Sequence, residues 1–553
     1  RQMCIRDRFG KKENVILWHI SNEFGGNFKD STCHCEKCQK KFREWLKNKY
    51  GTLDKLNASW WTGFWSHKYT DWDQIHSPSP QGECLTTALT LDWKRFSSEQ
   101  ITDFCKMEAD ALREFSDLPT TTNMMGFFKG VDYNTLKNAV DIISWDNYPF
   151  WHERKDEVPE AVYTSAGNAL MRSLKREPFL LMESTPSSVS WRSHNPLKRP
   201  GMHMLSSMQA VAHGADSVQY FQWRKSRGGY EKFHGAVVDH KNGSDTRTFR
   251  EVTEVGKRLE HLSGGIKTFL NRAKAAIVFD WENWWAVEDT SGPRQDLDYV
   301  KCVTDHYRAF WECGLDVDFV SMDDDFSGYR LLAAPLNYMY KKGYSEKVRA
   351  FVEAGGTYVT TYFSGIVNET DLCFIGRHPL EDVLGVVSEE MDAPSKEFEN
   401  CFDYNGKEYP AYTMCDIVHA KAKTEIYSVY KKDFYKGCPV VTENAYGSGR
   451  AYYLSAESDQ RFLSAFYKDV FIKAGLLKEA SSADRILKRL PHGVTAAKRE
   501  DETGRKGLVF VMNFNDRQVR LEGIGKQIDA ESGEVYENVL EMAPFSCTIL
   551  KLK

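Results

Sequence analysis

Five short apolar runs in the first half of the chain restrict the fold more than any other feature. They occupy residues 15–20, 120–125, 142–145, 179–182 and 217–222. A strand buried on both faces of a parallel sheet reads as such a run, without polar alternation. Each run ends in residues suited to a functional loop: Ser21-Asn22-Glu23, Gly126-Phe127, Asp146-Asn147-Tyr148-Pro149, Glu183-Ser184-Thr185 and Trp223-Arg224. Helical patterns separate the runs, at residues 36–50, 97–115 and 202–213. Alternating strands and helices predict an α/β fold with a parallel sheet. Polar residues gathered at the strand ends predict a (β/α)8 TIM barrel, whose active site stands at the C-terminal ends of its strands. Five strands do not close a barrel of eight. The first behaves like a middle strand, so residues 1–265 are expected to hold strands four to eight, with three βα units upstream. The leader Arg1–Arg8 need not be native, and an open sheet is the alternative.

Residues 266–483 predict a doubly wound α/β domain, with strands at 275–279, 317–320, 331–334 and 357–361 and helices at 299–313 and 344–354. It has neither a phosphate-binding glycine fingerprint nor a nucleophile elbow, so its expected role is structural. Residues 484–553 contain brief apolar runs at 507–513 and 547–552 without helical spacers, which predict a small antiparallel β domain.

Composition narrows the function. The 553 residues carry 73 basic and 78 acidic side chains, a net charge of −5. That balance gives no global attraction to nucleic acid or anionic membrane. No apolar stretch reaches the ~18 residues needed to span a bilayer. The 13 cysteines are mostly scattered, which predicts free thiols in a reducing cytoplasm. The cluster Cys33-His34-Cys35-Glu36-Lys37-Cys38 has the spacing of metal ligands. Aromatic residues reach 13%. Most serve cores, but flat rings also stack on the apolar faces of sugars.

The two strand ends that deliver a glutamate carry the chemistry. Trp18-His19-Ile20-Ser21-Asn22-Glu23 and Phe179-Leu180-Leu181-Met182-Glu183 each place a carboxylate after a buried strand. Such a group must be paired, hydrogen-bonded or functional. Retaining glycoside hydrolysis needs two of them about 5–5.5 Å apart, one an acid and then a base, the other a nucleophile. A structural ion pair is the competing reading of either glutamate alone.

Asn22-Glu23-Phe24-Gly25, the cysteine cluster, Phe42-Arg43-Glu44-Trp45-Leu46, Phe64-Trp65-Ser66, Trp72-Asp73-Gln74-Ile75, Asp146-Asn147-Tyr148-Pro149, Met182-Glu183, Trp191 and Tyr230-Glu231-Lys232-Phe233-His234-Gly235 together resemble glycoside hydrolase family 42, the β-galactosidases. The resemblance covers most of residues 14–250. It implies that Glu23 is the acid/base, that Glu183 is the nucleophile and that Asn22 binds the sugar 2-hydroxyl. It also implies that Trp65 and Trp191 wall the galactose subsite, with Tyr148 near the nucleophile. Glu231 and His234 match a pair that binds sugar hydroxyls. Core packing for the tryptophans and a surface pair for Glu231 and His234 remain the bland readings.

The resemblance further implies a homotrimer built on the middle domain and no cofactor for catalysis. It implies a structural zinc on Cys33, Cys35 and Cys38, with a fourth cysteine upstream. Cys4 and His34 are poor substitutes for that ligand, and three bare thiols are the other reading. The family's sugar-binding arginine belongs to the first three strands and has no counterpart here. The expectation for these 553 residues alone is aggregation or inactivity. An α-L-arabinopyranosidase with the same machinery and a non-catalytic carbohydrate-binding or assembly protein are the rival functions.

Overall fold

The computed structural model describes residues 9–10, 12–26, 32–78, 85–266, 269–477, 486 and 490–552. Strands β1 (Trp18–His19), β2 (Thr120–Met124), β3 (Ile142–Asp146), β4 (Phe179–Glu183) and β5 (Ala215–Val218) form one parallel sheet in sequence order. The helices Thr87–Arg113, Tyr133–Leu136, Val158–Lys175 and Met202–Ala212 lie in the four connections. Sequential parallel strands with helical crossovers are the arrangement of a TIM barrel. Among the described residues β1 and β5 pair with no further strand.

Strand limits differ from expectation where the functional residues lie. β3 runs on through Asp146 and β4 through Glu183, so both carboxyls belong to the ladder's end rather than to a loop. β1 contracts to two residues, although the flanking Ile20 N–H still donates to the Thr121 carbonyl at 2.7 Å. β5 starts and stops earlier than expected. β2 is buried along its whole length despite its sequence Thr-Thr-Thr-Asn-Met. Two of its hydroxyls are satisfied by neighbours: Thr120 donates to Asp141 and Thr121 to Ser144, both at 2.8 Å, while the buried Thr122 hydroxyl has no partner. Trp145, beside Asp146, fits against the helix Val158–Lys175 because that helix carries Gly167. A Cβ there would stand 2.8 Å from the indole.

The middle domain has a seven-stranded sheet. Gly449–Leu454, Thr357–Thr361, Leu331–Ala334, Ala275–Val278 and Val317–Val320 run parallel, in that order. The strands Pro439–Tyr446 and Glu425–Val429 extend one edge antiparallel. A separate antiparallel sheet joins Val386–Asp392, Lys407–Ala420 and Asn400–Tyr404. The expected doubly wound core is therefore present, but it is half the domain rather than all of it. The added strands are interrupted by polar residues, as in Val386–Asp392, which is exposed along most of its length, and so leave no continuous apolar run.

The last domain is antiparallel throughout: Val494–Glu500, Gly507–Asn513 and Ser546–Leu552 in one sheet, Val519–Ile528 and Val535–Met542 in another. The expected boundary at 483/484 lies outside the described residues, as do the leader 1–8 and Cys4. The three domains share one core. Trp151 of the barrel stacks on Phe514 of the last domain at 5.9 Å, and Trp311 of the middle domain meets the same ring. Truncating such a buried ring costs about 3–5 kcal/mol. Arg499, fully buried, reaches from the last domain to Asp216 and to the carbonyl of Ala215 in β5.

Candidate active site

The C-terminal ends of β1, β3 and β4 converge three carboxyl groups. Glu23 follows β1, Asp146 closes β3 and Glu183 closes β4. One carboxylate oxygen of each lies within 4.8 Å of the others. The turn that carries Glu23 is unusual, because Ser21 and Glu23 both take positive φ, 50° and 43°. Residues with a Cβ rarely adopt that region, and such backbone costs of order 1–3 kcal/mol at functional sites. Asn123 of β2 holds the turn. Its Oδ1 accepts the Glu23 backbone N–H at 2.9 Å, and its Nδ2 donates to Asn22 Oδ1 at 3.1 Å and to Asp146 Oδ2 at 2.5 Å.

The electrostatics separate the groups. Burial and then the negative charge of Glu183 raise the Glu23 carboxyl above its ordinary value. The same two causes push Asp146 up to about 8. Asp146 therefore stays protonated into the neutral range, and the rise of Glu23 favours its acid form, which can donate a proton. Glu183 instead accepts a hydrogen bond of 2.6 Å from the Tyr148 hydroxyl. Burial and Glu183 together hold that phenol well above the usual tyrosine range, so it remains a donor.

Most of the other sequence-selected residues surround this cluster. Trp191 meets Tyr148 edge-on at 5.9 Å and remains 43% exposed. His234 meets Tyr148 at 5.7 Å and Phe221 at 5.1 Å, both edge-on. It is buried, and both its ring nitrogens lack a hydrogen-bond partner. Buried polar groups of that kind call for a partner that the protein does not supply. The Glu231 carbonyl accepts the His234 N–H, and the Glu231 charge reaches Glu23. Trp65 stands apart. It stacks on Phe64 at 4.7 Å, is 66% exposed, and among the described residues makes no ring contact or hydrogen bond with the cluster.

Asp146 and Asn123 were not selected as site residues from the sequence. Their signals were there: an acid heading Asp-Asn-Tyr-Pro at a strand end, and an asparagine inside a strand buried on both faces.

The three cysteines of the cluster lie at the start of the helix Glu36–Tyr50, with Cys35 capping it. Their sulfurs fall within 4.8 Å of one another. A tetrahedral zinc with ~2.3 Å bonds sets its ligand sulfurs about 3.8 Å apart, so the three can occupy three corners. Hydrogen bonds from the Cys38 backbone and from the neighbouring thiols bring Cys35 down to about 7. His34 stacks on Trp93 and pairs with Thr32 instead.

The β-galactosidase family model matches residues 2–262, and the model of the β-galactosidase trimerisation domain matches residues 273–477. β-Galactosidase BglY of Alicyclobacillus acidocaldarius is 46% identical over 525 residues, covering 92% of this chain and 73% of its own length. β-Galactosidase GanA of Bacillus subtilis is 41% identical over 558 residues, covering 99% and 81%. The crystal structure of the β-galactosidase from Rahnella sp. R3 superposes with a TM-score of 0.93 at 45% identity, over 100% of this chain and 80% of that one. That of Bacillus circulans sp. alkalophilus gives 0.91 at 38%, over 100% and 81%. Strand order, paired glutamates and whole-chain likeness agree: the chain belongs to glycoside hydrolase family 42, the β-galactosidases.

Proposed function

We propose that this chain is a β-galactosidase that hydrolyses terminal non-reducing β-D-galactosides with retention, Glu183 acting as nucleophile and Glu23 as acid and then base. The observation that carries the reading is the spacing of Glu23 and Glu183, whose carboxylate oxygens approach within 4.8 Å. Retaining enzymes hold their carboxyls about 5–5.5 Å apart, whereas inverting enzymes leave about 6.5–9.5 Å for a water. In the first step Glu183 attacks the anomeric carbon while Glu23 gives its proton to the departing oxygen. The ester removes the Glu183 charge, so the Glu23 carboxyl falls in pKa and accepts a proton from the water that frees the sugar. Tyr148 holds the attacking carboxylate through its hydroxyl.

Asn22 takes the sugar 2-hydroxyl, while Glu231 and His234 take other hydroxyls. Trp191 supplies a wall, and Trp65 a second one from its exposed turn. The unpartnered ring nitrogens of His234 support its share of this assignment.

Cys33, Cys35 and Cys38 hold a structural zinc with a fourth ligand from outside the described residues. Zinc analysis of the purified enzyme, with Cys35→Ser as the control that loses it, tests this. The middle domain carries a homotrimer, a reading supported by the trimerisation-domain description of its family model and tested by sedimentation. The cytoplasm suits the eleven free cysteines among the described residues.

Product stereochemistry tests the central reading. Nuclear magnetic resonance of the first sugar released from an aryl β-D-galactoside should show the β-anomer, and a first-formed α-anomer would contradict it. Aryl β-D-galactosides should also be cleaved faster than aryl α-L-arabinopyranosides.

A further inference from the structure

Asp146 has no part in the double displacement, yet it is 7% exposed and lies against both glutamates. We propose that Asp146 is a positioning residue that stays protonated through both halves of the reaction and donates its proton, in a hydrogen bond, to the Glu23 carboxyl. The inference rests on the acid/base role of Glu23.

Geometry assigns the proton to one oxygen. Asp146 Oδ2 accepts from Asn123 Nδ2 at 2.5 Å. Asp146 Oδ1 is buried with no donor facing it. The Asp146 and Glu23 carboxyls approach within 4.8 Å, and two carboxylates contain no hydrogen to share. A hydrogen bond between them requires a proton, and Oδ1 is the Asp146 atom free to carry it.

Among the described residues no nearby cation removes the requirement. The groups facing Asp146 are Glu23 beyond β1, Glu183 of β4, neutral Asn123 of β2, and the phenols of Tyr148 and Tyr133. Glu231 adds a further negative charge near Glu23. His19 of β1 senses Glu183, but burial holds it below its ordinary value and so uncharged at neutral pH. Among the described residues no lysine or arginine forms an ion pair with any of the three carboxyls. Three carboxylates this close, without a cation, cannot all ionise. Burial raises Asp146 in the same direction.

A protonated Asp146 keeps the charge of the cluster constant. In the resting site Glu183 is ionised and Glu23 and Asp146 are neutral. In the glycosyl-enzyme Glu183 is an ester and Glu23 is the anion. Each state carries one negative charge, and in the second the Asp146 proton steadies the Glu23 carboxylate as it waits for water. Asn123 links the same aspartate to the Glu23 backbone, so the donor and the acceptor share one support.

The Asp146→Asn enzyme decides, because an asparagine keeps a neutral donor at this position. Its kcat/KM at neutral pH should stay within about 10-fold of the parent, whereas Asp146→Ala loses about 100-fold, mainly in kcat. The alkaline limb of the parent should steepen to two protons, since Glu23 and Asp146 titrate as a pair, and that of Asp146→Asn should stay at one. A loss in Asp146→Asn larger than 10-fold with an intact melting profile, or an unchanged two-proton limb, overturns the inference. The parent's product anomer separates the two readings. Inversion removes the acid/base reading and this inference with it. Retention together with an inactive Asp146→Asn removes this inference alone.

Discussion

Two acidic clusters in this molecule use the same side chain for opposite ends. At the barrel's strand ends Glu23, Asp146 and Glu183 gather, with no ion pair to a lysine or arginine among the described residues. Between the barrel and the middle domain, Asp92 and Glu282 are buried around Arg95, while Lys49 binds Asp92 and Lys341 binds Glu282, Asp280 and Asp323. Burial penalises the charged form of Glu23 and Asp146 in the first cluster and of Asp92, Asp280 and Glu282 in the second. In the second cluster Arg95 and Lys341 overcome burial and bring Glu282 down to about 2, and Arg95 and Lys49 likewise hold Asp92 below its ordinary value. In the first cluster the neighbours are negative and add to burial, so Glu23 and Asp146 rise. Asp280 stays raised by its burial despite Lys341, but Asp92 and Glu282, matched to cations, join the domains as anions, whereas carboxyls left to one another keep a proton available for chemistry.

The largest expected break in this contrast is Glu183→Gln, which removes the nucleophile and should lower kcat by about 10⁴-fold or more, as loss of a covalent nucleophile does elsewhere. Steady-state turnover of an aryl galactoside checks it. Glu23→Ala should lower kcat/KM by about 10²–10⁴-fold for a poor leaving group, the usual range of a general acid. It should spare glycosylation by substrates whose leaving group needs no proton. A series of aryl galactosides of falling leaving-group pKa reads this out as a steepened dependence.

Glu282→Ala leaves Arg95 and Lys341 buried with an incomplete set of partners. Such a change costs about 3–5 kcal/mol, and thermal unfolding should show it as a lower transition. Activity per folded molecule should change far less. Tyr148→Phe removes one hydrogen bond to an ionised group, about 1.5–3 kcal/mol, and kcat/KM should fall by roughly 10- to 100-fold.

The smallest effects are in pH dependence, where the clusters should have opposite signs. Glu282 is depressed on folding, so its stabilisation is present above the unfolded value near 4.5 and is lost as pH falls towards 2. Asp146 is raised, so the folded state binds a proton that the unfolded chain releases between about 3.8 and 8. Its contribution weakens as pH rises through that interval. Asp146→Asn should therefore flatten the alkaline loss of stability, while Glu282→Gln flattens the acid loss. Melting temperatures across the pH range measure both.

The contrast also explains what could be read from the chain before its structure. Strands β3 and β4 were legible because burial leaves a largely apolar run, whereas β2 is buried despite its sequence Thr-Thr-Thr-Asn-Met, and Glu183 was conspicuous at the end of Phe179-Leu180-Leu181-Met182. Glu23 stood out for the same reason, although its strand shrinks to Trp18–His19. In the sequence Asp146 reads only as the start of the loop Asp146-Asn147-Tyr148-Pro149. Its importance comes from distances to two residues more than thirty positions away, which spacing along the chain cannot show. Asn123 was hidden inside a strand whose threonines also read as buried. The antiparallel strands around Lys407–Ala420 offer no plain apolar run, because polar residues such as Thr413 and the buried Asp416 interrupt it. In the domain-joining cluster, Asp92 and Arg95 sit three apart on one helix, but their partner Glu282 lies almost two hundred residues downstream.

Trapping the covalent intermediate tests the central claim most directly. The enzyme would be inactivated with a 2-deoxy-2-fluoro-β-galactosyl fluoride, digested, and its peptides sequenced by mass spectrometry. The account predicts one fluorogalactosyl group, carried by Glu183. A label on Glu23 or Asp146, or turnover of the parent enzyme with no label on any carboxylate, would contradict it.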